Sequence, residues 1–219
     1  MKFPSLFVAA TLLAGTAAQA STVYSQDFES GADAAWSGVV AVQSTAGLSG
    51  FGFGALHVFN NTTSASVLSL SGLAAHTSMT VSFDLAIWDS VDGNAGGFPY
   101  GDTFELIVDG SPVISQLFGN YGTPGGTSLG PGTVIVQNTS NLGYSGFVDS
   151  ARAVTVTFAH SGGSAALAFQ FPNSQGGTDE AFGIDNVQVS INAVPEPGTY
   201  ALMAVGLALV AGMARRRVH

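Results

Sequence analysis

From Met79 to Ile87 every odd-numbered residue is apolar, namely Met79, Val81, Phe83, Leu85 and Ile87, with Thr80, Ser82 and Asp84 among the residues between them. A period of two lays one side of an extended strand against a core and does not build a helical stripe. Thr103 to Val108 alternates in the same way, and Asp109-Gly110 then supplies the positive-φ pair of a two-residue hairpin before Pro112 to Leu117 returns. Val154, Val156 and Phe158 form one inward face, and Leu167, Phe169 and Phe171 form another. Twenty-nine glycines in 219 residues interrupt these runs. They lack the three-residue period of collagen, so they mark turns. With 46% hydrophobic residues the chain has enough apolar surface for one sizeable core. About ten short strands and no helical stripe of useful length in the body predict an all-β fold, an antiparallel two-sheet β-sandwich of jelly-roll type.

The two ends read differently from the middle. Lys2, an apolar run from Leu6 to Leu13, and the small residues closing in Ala18-Gln19-Ala20 have the three parts of a signal peptide, with Ser21 as the first mature residue. At the other end, Val194-Pro195-Glu196-Pro197-Gly198-Thr199 breaks the chain, Tyr200 to Ala214 is free of charge, and Arg215-Arg216-Arg217 follows. Counted from Thr199, about sixteen helical residues at ~1.5 Å each span roughly 24 Å, a little short of a ~30 Å hydrocarbon core. Tyr200 and the arginines, seated at the interfaces, make up the difference, and the arginines place the body on the outer face. The expected organisation is a signal peptide over 1–20, an exported β-sandwich over 21–193, and a terminal segment with a transmembrane-type helix over 194–219.

Charge separates along the same boundaries. Four of the five basic residues are Lys2, Arg215, Arg216 and Arg217, which leaves Arg152 against thirteen acids in the body, a net of −12. So acidic a surface repels phosphate backbones and excludes nucleic acid as a partner, while divalent cations and neutral polymers remain compatible. There is no cysteine, hence no disulfide framework, thiol nucleophile or zinc-thiolate site.

The tail, Val-Pro-Glu-Pro-Gly-Thr followed by an apolar helix and Arg-Arg-Arg, resembles the sorting signal of PEP-CTERM proteins, whose tail is recognised by an integral-membrane cysteine protease, the exosortase. That resemblance covers residues 194 to 217. It implies export from a Gram-negative cell, processing near Pro195-Glu196-Pro197, and association with exopolysaccharide or biofilm matrix. Val194, Pro195, Glu196, Pro197, Arg215, Arg216 and Arg217 are the residues it singles out. The apolar run is then a temporary hold in the inner membrane, with the mature protein at the cell surface or outside the cell.

In the last strand Val187, Val189 and Ile191 share a face, while Ile184 is out of phase with them. A bulge at Asp185-Asn186, or the strand's entry into the sheet, accounts for the slip. The stretch Thr178 to Val187, with its acidic pair before Gly-Ile-Asp-Asn-Val, is similar to the phrase that closes the sandwich domains of many PEP-CTERM proteins, as is the loop from Asp89 to Phe104. If the first and last strands meet, Asp27 and Glu29 come near Asp185, with Asp179 and Glu180 on the adjoining loop. Such oxygen ligands suit Ca2+ better than a transition metal. Capping of turns and bonding to backbone amides are equally ordinary roles for these acids.

Other patterns are weaker. Asp89, Asp92 and Asp102 fail the EF-hand spacing, which would put Trp88 and Pro99 at ligand positions. Gly126-Thr127-Ser128-Leu129-Gly130 matches the nucleophile-elbow pattern, but a loop and Pro131 stand where that motif needs strand and helix. His57, His76 and His160 are scattered and read as structural. Asn60 to Thr63 and Asn138 to Ser140 contain glycosylation-type sequons that read as turns. Trp36, Phe51, Phe53, Phe98, Tyr100, Tyr121 and Tyr144 lie in or beside glycine-rich segments, where loop aromatics either stack on sugars or tuck into the sandwich ends. The expectation is a non-catalytic exported module with a structural or carbohydrate-binding role. The alternative is a secreted glycan hydrolase, recognisable by two carboxylates about 5 to 9.5 Å apart across an aromatic groove.

Overall fold

A computed structural model of the chain describes residues 19–38, 41–44, 47–59, 65–91, 102–120, 132–136, 141–142, 148–172, 180–194 and 197–216. The chain divides into two compact units, the body Ala20–Val194 and a second unit that contains the C-terminal helix. In chain order the strands are β1 (Gln19–Gln26), β2 (Trp36–Gly38), β3 (Ala41–Ser44), β4 (Ala55–Phe59), β5 (Ser66–Ser71), β6 (His76–Asp89), β7 (Thr103–Val108), β8 (Ser111–Leu117), β9 (Thr133–Val136), β10 (Ser150–Ala159), β11 (Ser164–Gln170) and β12 (Glu180–Ala193). A seven-stranded sheet has the order β3-β4-β12-β6-β10-β9 with β1 also on β12, and a five-stranded sheet has the order β2-β5-β11-β7-β8. First and last strands therefore meet. This is the antiparallel two-sheet sandwich of jelly-roll type that the alternation predicts.

The core lies between the sheets. Met79, Val81, Phe83, Leu85 and Ile87 of β6 face Phe104, Leu106 and Val108 of β7 and Leu167 and Phe169 of β11. Val154 joins them, with Val156 and Phe158 packed at the margin. The Asp109-Gly110 turn is tight because both residues hold positive φ, 48° and 79°, as a type I′ hairpin requires. Pro112 is tolerated because β8 is an edge strand.

A second cluster lies on the other face of the seven-stranded sheet, where Ala86, Trp88, Ala151 and Ala181 are covered by Leu48, Phe53 and Leu142. The end of β6 is consequently buried on both sides. Its last five residues, Leu85 to Asp89, are all buried, and there the clean alternation gives way to the continuous run expected of a doubly covered strand.

The helix α1 spans Pro197–Arg216. Among the described residues no helix is long and apolar enough to cross a membrane. The uncharged stretch of α1 from Tyr200 is about fifteen residues, ~22 Å at ~1.5 Å each, against ~30 Å of hydrocarbon. Leu202, Val205, Leu209, Val210 and Met213 are nonetheless largely exposed.

Candidate functional site

β12 changes phase within its length. Asp185 lies opposite Asp84, but the next register pair is Gln188 with Ser82, so Asn186 and Val187 together face the single residue Phe83. This is a β-bulge, and Asn186 holds a φ of 52° in it, a left-handed conformation that asparagine tolerates better than most residues. The extra residue lets Phe182 and Ile184 on one side and Val187, Val189 and Ile191 on the other reach the same core. The out-of-phase Ile184 is thereby explained.

At the bulge Asp185 is buried, 1% exposed. Its Oδ1 accepts the Asn186 amide at 2.6 Å and its Oδ2 accepts the Gly54 amide at 2.9 Å. Asn186 Nδ2 donates to Asp84 Oδ2 at 2.9 Å and to the Gly52 carbonyl at 3.3 Å. Burial pushes the Asp185 carboxyl above the usual carboxylate range, the two amide hydrogen bonds oppose that shift, and the charges of Asp84 and Glu29 add to it.

Glu29 arrives through a strained turn. Phe28 has a φ of 55°, a conformation that costs a bulky residue about 1–3 kcal/mol. Its ring is fully buried and lies 5.4 Å from Trp36, a burial worth about 1.5–3 kcal/mol that offsets the strain. On either side of Phe28, Asp27 and Glu29 are left at the surface. A Cβ on Gly54 would collide with the Glu29 carboxylate, so only glycine leaves it that place. Asp27 Oδ1 accepts the Glu29 amide at 3.3 Å, and Asp27 lines a cavity of about 410 Å³ with Ser25, Gln26, Asn186, Val187 and Gln188.

The five carboxylates expected to hold Ca2+ do not converge as a set. Glu29 and Asp185 come together, and Asp84, which sequence reasoning missed, joins them across the strand pair. Glu180 stands opposite Asp89 at the start of β12. An extended strand advances ~3.4 Å per residue, so five residues carry Glu180 some ~17 Å from Asp185. Asp179 lies outside the described residues. Among the described residues no group of three or more His, Cys, Asp or Glu is arranged to hold a metal ion.

Glu180 belongs instead to a buried polar end of the sandwich with Asp89, Asp102, Asn120, Asp149 and Ser150. Asp89 has a φ of 59° and donates its amide to Asp149 Oδ1 at 3.0 Å. The Leu142 amide donates to Asp149 Oδ2. Asn120 Nδ2 donates to the Ile87 carbonyl at 2.7 Å and to that of Asp89 at 3.3 Å, and Ser150 Oγ donates to Asn120 Oδ1. These bonds tie the end of β6 to Asn120, Leu142 and the start of β10. Asp92 lies outside the described residues.

Of the loop aromatics, Trp36 and Phe53 are buried at 7% and 4% exposure, while Phe51 is exposed. The Trp36 indole donates to Tyr24 Oη at 2.7 Å. Phe98, Tyr100, Tyr121 and Tyr144 lie outside the described residues, as do Asn60 to Thr63, Ser128 and Asn138 to Ser140. The side chain of His57 is likewise outside them. His76 and His160, read as separate structural residues, are brought into contact.

Val194 closes the described body, α1 follows from Pro197, and Arg215 is exposed near its end. Pro195, Glu196 and Arg217 lie outside the described residues. Residues 193–217 match the PEP-CTERM protein-sorting motif. A PEP-CTERM motif implies processing by an exosortase-type membrane enzyme and marks an exported protein, held transiently at the membrane and then placed at the cell surface. The chain is accordingly an exported β-sandwich surface protein. No curated protein matches it. Among solved structures, the K1 cleaved adhesin domain of Lys-gingipain from Porphyromonas gingivalis W83 is similar at 13% identity and a TM-score of 0.47, covering 79% of this chain and 99% of that one. A family 35 carbohydrate binding module from an environmental isolate has 13% identity and a TM-score of 0.43, with 79% and 100% coverage. The exo-β-1,3-galactanase of Phanerochaete chrysosporium has 15% identity and a TM-score of 0.38, covering 77% of this chain but 29% of its own.

Proposed function

We propose that the body is a non-catalytic surface or matrix module with a structural or carbohydrate-binding role, delivered outside the cell by exosortase-type processing of its tail. The observation that carries this reading is the continuity of β12 with the sorting motif. Ala193, the last residue of the last strand, is also the first residue of the motif, so the sandwich is the cargo that processing delivers. Its acidic, lysine-free surface suits a neutral polymer better than an anionic one. The exported protein is expected to be retained on the producing cell's own exopolysaccharide and to pass through an unrelated neutral polymer. Equal passage through both would leave the structural role alone, and shortening of the polymer during binding would favour the hydrolase.

A calcium ion held by Glu29 and Asp185 is part of this proposal. The Gly54 cradle brings the two carboxylates together, and a cation there would relieve the burial of an ionised Asp185. Without calcium, the raised Asp185 carboxyl gives a stability contribution that is present at acid pH and is lost as pH rises through its folded-state value. Denaturation in chelator should therefore show stability falling as pH rises above the ordinary carboxylate range, abolished in Asp185→Asn. Added calcium should raise the neutral-pH melting temperature of the parent by binding the folded state. No response to calcium would remove the ion from the proposal.

A further inference from the structure

His76 opens β6, His160 follows β10, and Asp109 is the first residue of the β7-β8 turn, so groups from both sheets meet at one end of the sandwich. His76 Nδ1 lies 2.6 Å from the Ala74 carbonyl oxygen, its Nε2 lies 2.7 Å from His160 Nδ1, and His160 Nε2 lies 3.1 Å from Asp109 Oδ2. Asp109 is itself fixed to β11, accepting the Ala166 amide at 2.9 Å and donating its own amide to the Ala166 carbonyl at 3.0 Å. The imidazole centroids are 5.0 Å apart with planes 16° from parallel. That separation is the nitrogen–nitrogen contact plus the two ring radii, so the rings meet edge to edge in nearly one plane.

Counting protons along this chain gives an uneven result. A carbonyl oxygen only accepts, so His76 Nδ1 carries a hydrogen, and a carboxylate only accepts, so His160 Nε2 carries one too. Two neutral imidazoles fixed in that way would turn lone pair against lone pair at the 2.7 Å contact. A third proton is needed there. The distance suits an N–H···N hydrogen bond, whereas two nitrogens bound to one tetrahedral metal at about 2.0–2.1 Å each stand wider apart. The segments that meet here, 72–77, 107–112, 159–166 and 190–194, carry no titratable side chain besides these three.

We propose that the His76–His160 pair shares one proton beyond those of two neutral imidazoles, balanced by Asp109, and forms a pH-sensitive latch between the sheets at the point where the sorting motif begins. Ala193, the first residue of the motif, is in register with His76, and the Val194 amide donates to the Ala75 carbonyl at 2.9 Å. With the third proton bound, the latch ties the β7-β8 hairpin to the strand end that β12 pairs with. As pH rises and that proton leaves, the facing lone pairs repel and the tie opens.

The test is nitrogen-detected NMR of the full chain in detergent with labelled histidine. In mildly acid buffer both ring nitrogens of His160 should carry protons while His76 Nε2 accepts. Loss of one proton on raising the pH should lower the protection of the Asp109, Ala166 and Val194 amides together by about tenfold or more, after the intrinsic rise of exchange with pH is divided out. Asp109→Asn keeps the turn, since Asn-Gly favours the same hairpin, and keeps an acceptor for Ala166. It should weaken the hold on the shared proton, because the opposing charge is gone. Independent titration of the two rings, unaltered by Asp109→Asn, would overturn the latch. So would a change in the ring signals on adding a chelator, which would put a metal ion where the proton is assigned.

Discussion

Phe104→Ala should lower the unfolding free energy of the body by about 3–5 kcal/mol, the range for truncating a fully buried aromatic ring. Phe104 is 0% exposed, and its ring joins elements of both sheets. It lies 5.7 Å from Phe83, 5.5 Å from Phe182, 6.1 Å from Phe118 and 6.4 Å from Phe169, with the Phe118 and Phe182 rings set edge to face against it. Each such aromatic pair is worth about 0.5–1.5 kcal/mol beyond its buried area. Rings from the two sheets cannot close the cavity without shifting whole strands, so little of the loss is recovered by relaxation. Against a total stability of about 5–15 kcal/mol, the variant would be close to unfolding. Phe104→Leu, which keeps most of the volume, should cost less. Phe51→Ala, at an exposed ring, should change stability by no more than about 0.5 kcal/mol. Urea unfolding of the three variants checks the order. A Phe104→Ala loss under about 1 kcal/mol would mean that the two sheets do not share one continuous core.

Legibility in the sequence followed the range of the physics. Period two and the Asp109-Gly110 turn are local, and both elements stand where the alternation puts them. The slip at Ile184 also declares itself, because a bulge has to restore phase within one strand. The second apolar cluster was not legible. Ala86 and Trp88 look like outward positions of β6, and nothing nearby in sequence announces that Leu48, Phe53 and Leu142 will cover them. The acidic site divided for a related reason. Asp179, Glu180 and Asp185 are neighbours along the chain, but a strand spreads its residues ~3.4 Å apiece. Glu180 therefore reached Asp89 while Asp185 reached Gly54 and Asp84. His76 and His160 are 84 residues apart, and only the pairing of β6 with β10 makes them adjacent. The tail was legible because its signal is linear, so that no contact distant in sequence is needed to recognise it.

That same tail gives the largest expected effect outside the body. Replacing Arg215, Arg216 and Arg217 together by glutamine should abolish maturation and leave unprocessed precursor. The apolar run from Tyr200 to Ala214 is about fifteen residues, ~22 Å as helix against ~30 Å of hydrocarbon. Arginines resist transfer through hydrocarbon, each costing about 2.5–3.5 kcal/mol at mid-depth on insertion scales. Beside an anionic leaflet, each also gains about 1 kcal/mol. Three in a row are expected to stop the tail and fix its direction, and neutral glutamines would remove both effects at once. Pulse-labelled cells separated into membrane, surface and medium should show the parent chain shortening with time and the variant either lost to the medium at full length or held as precursor. Replacing Arg152, which lies in the sandwich and donates to the Gly132 carbonyl at 2.7 Å, should leave processing unchanged even where it lowers stability. Normal shortening of the triple variant would show that the arginines do not set the hold, and that the Pro195-Glu196-Pro197 segment is read without it.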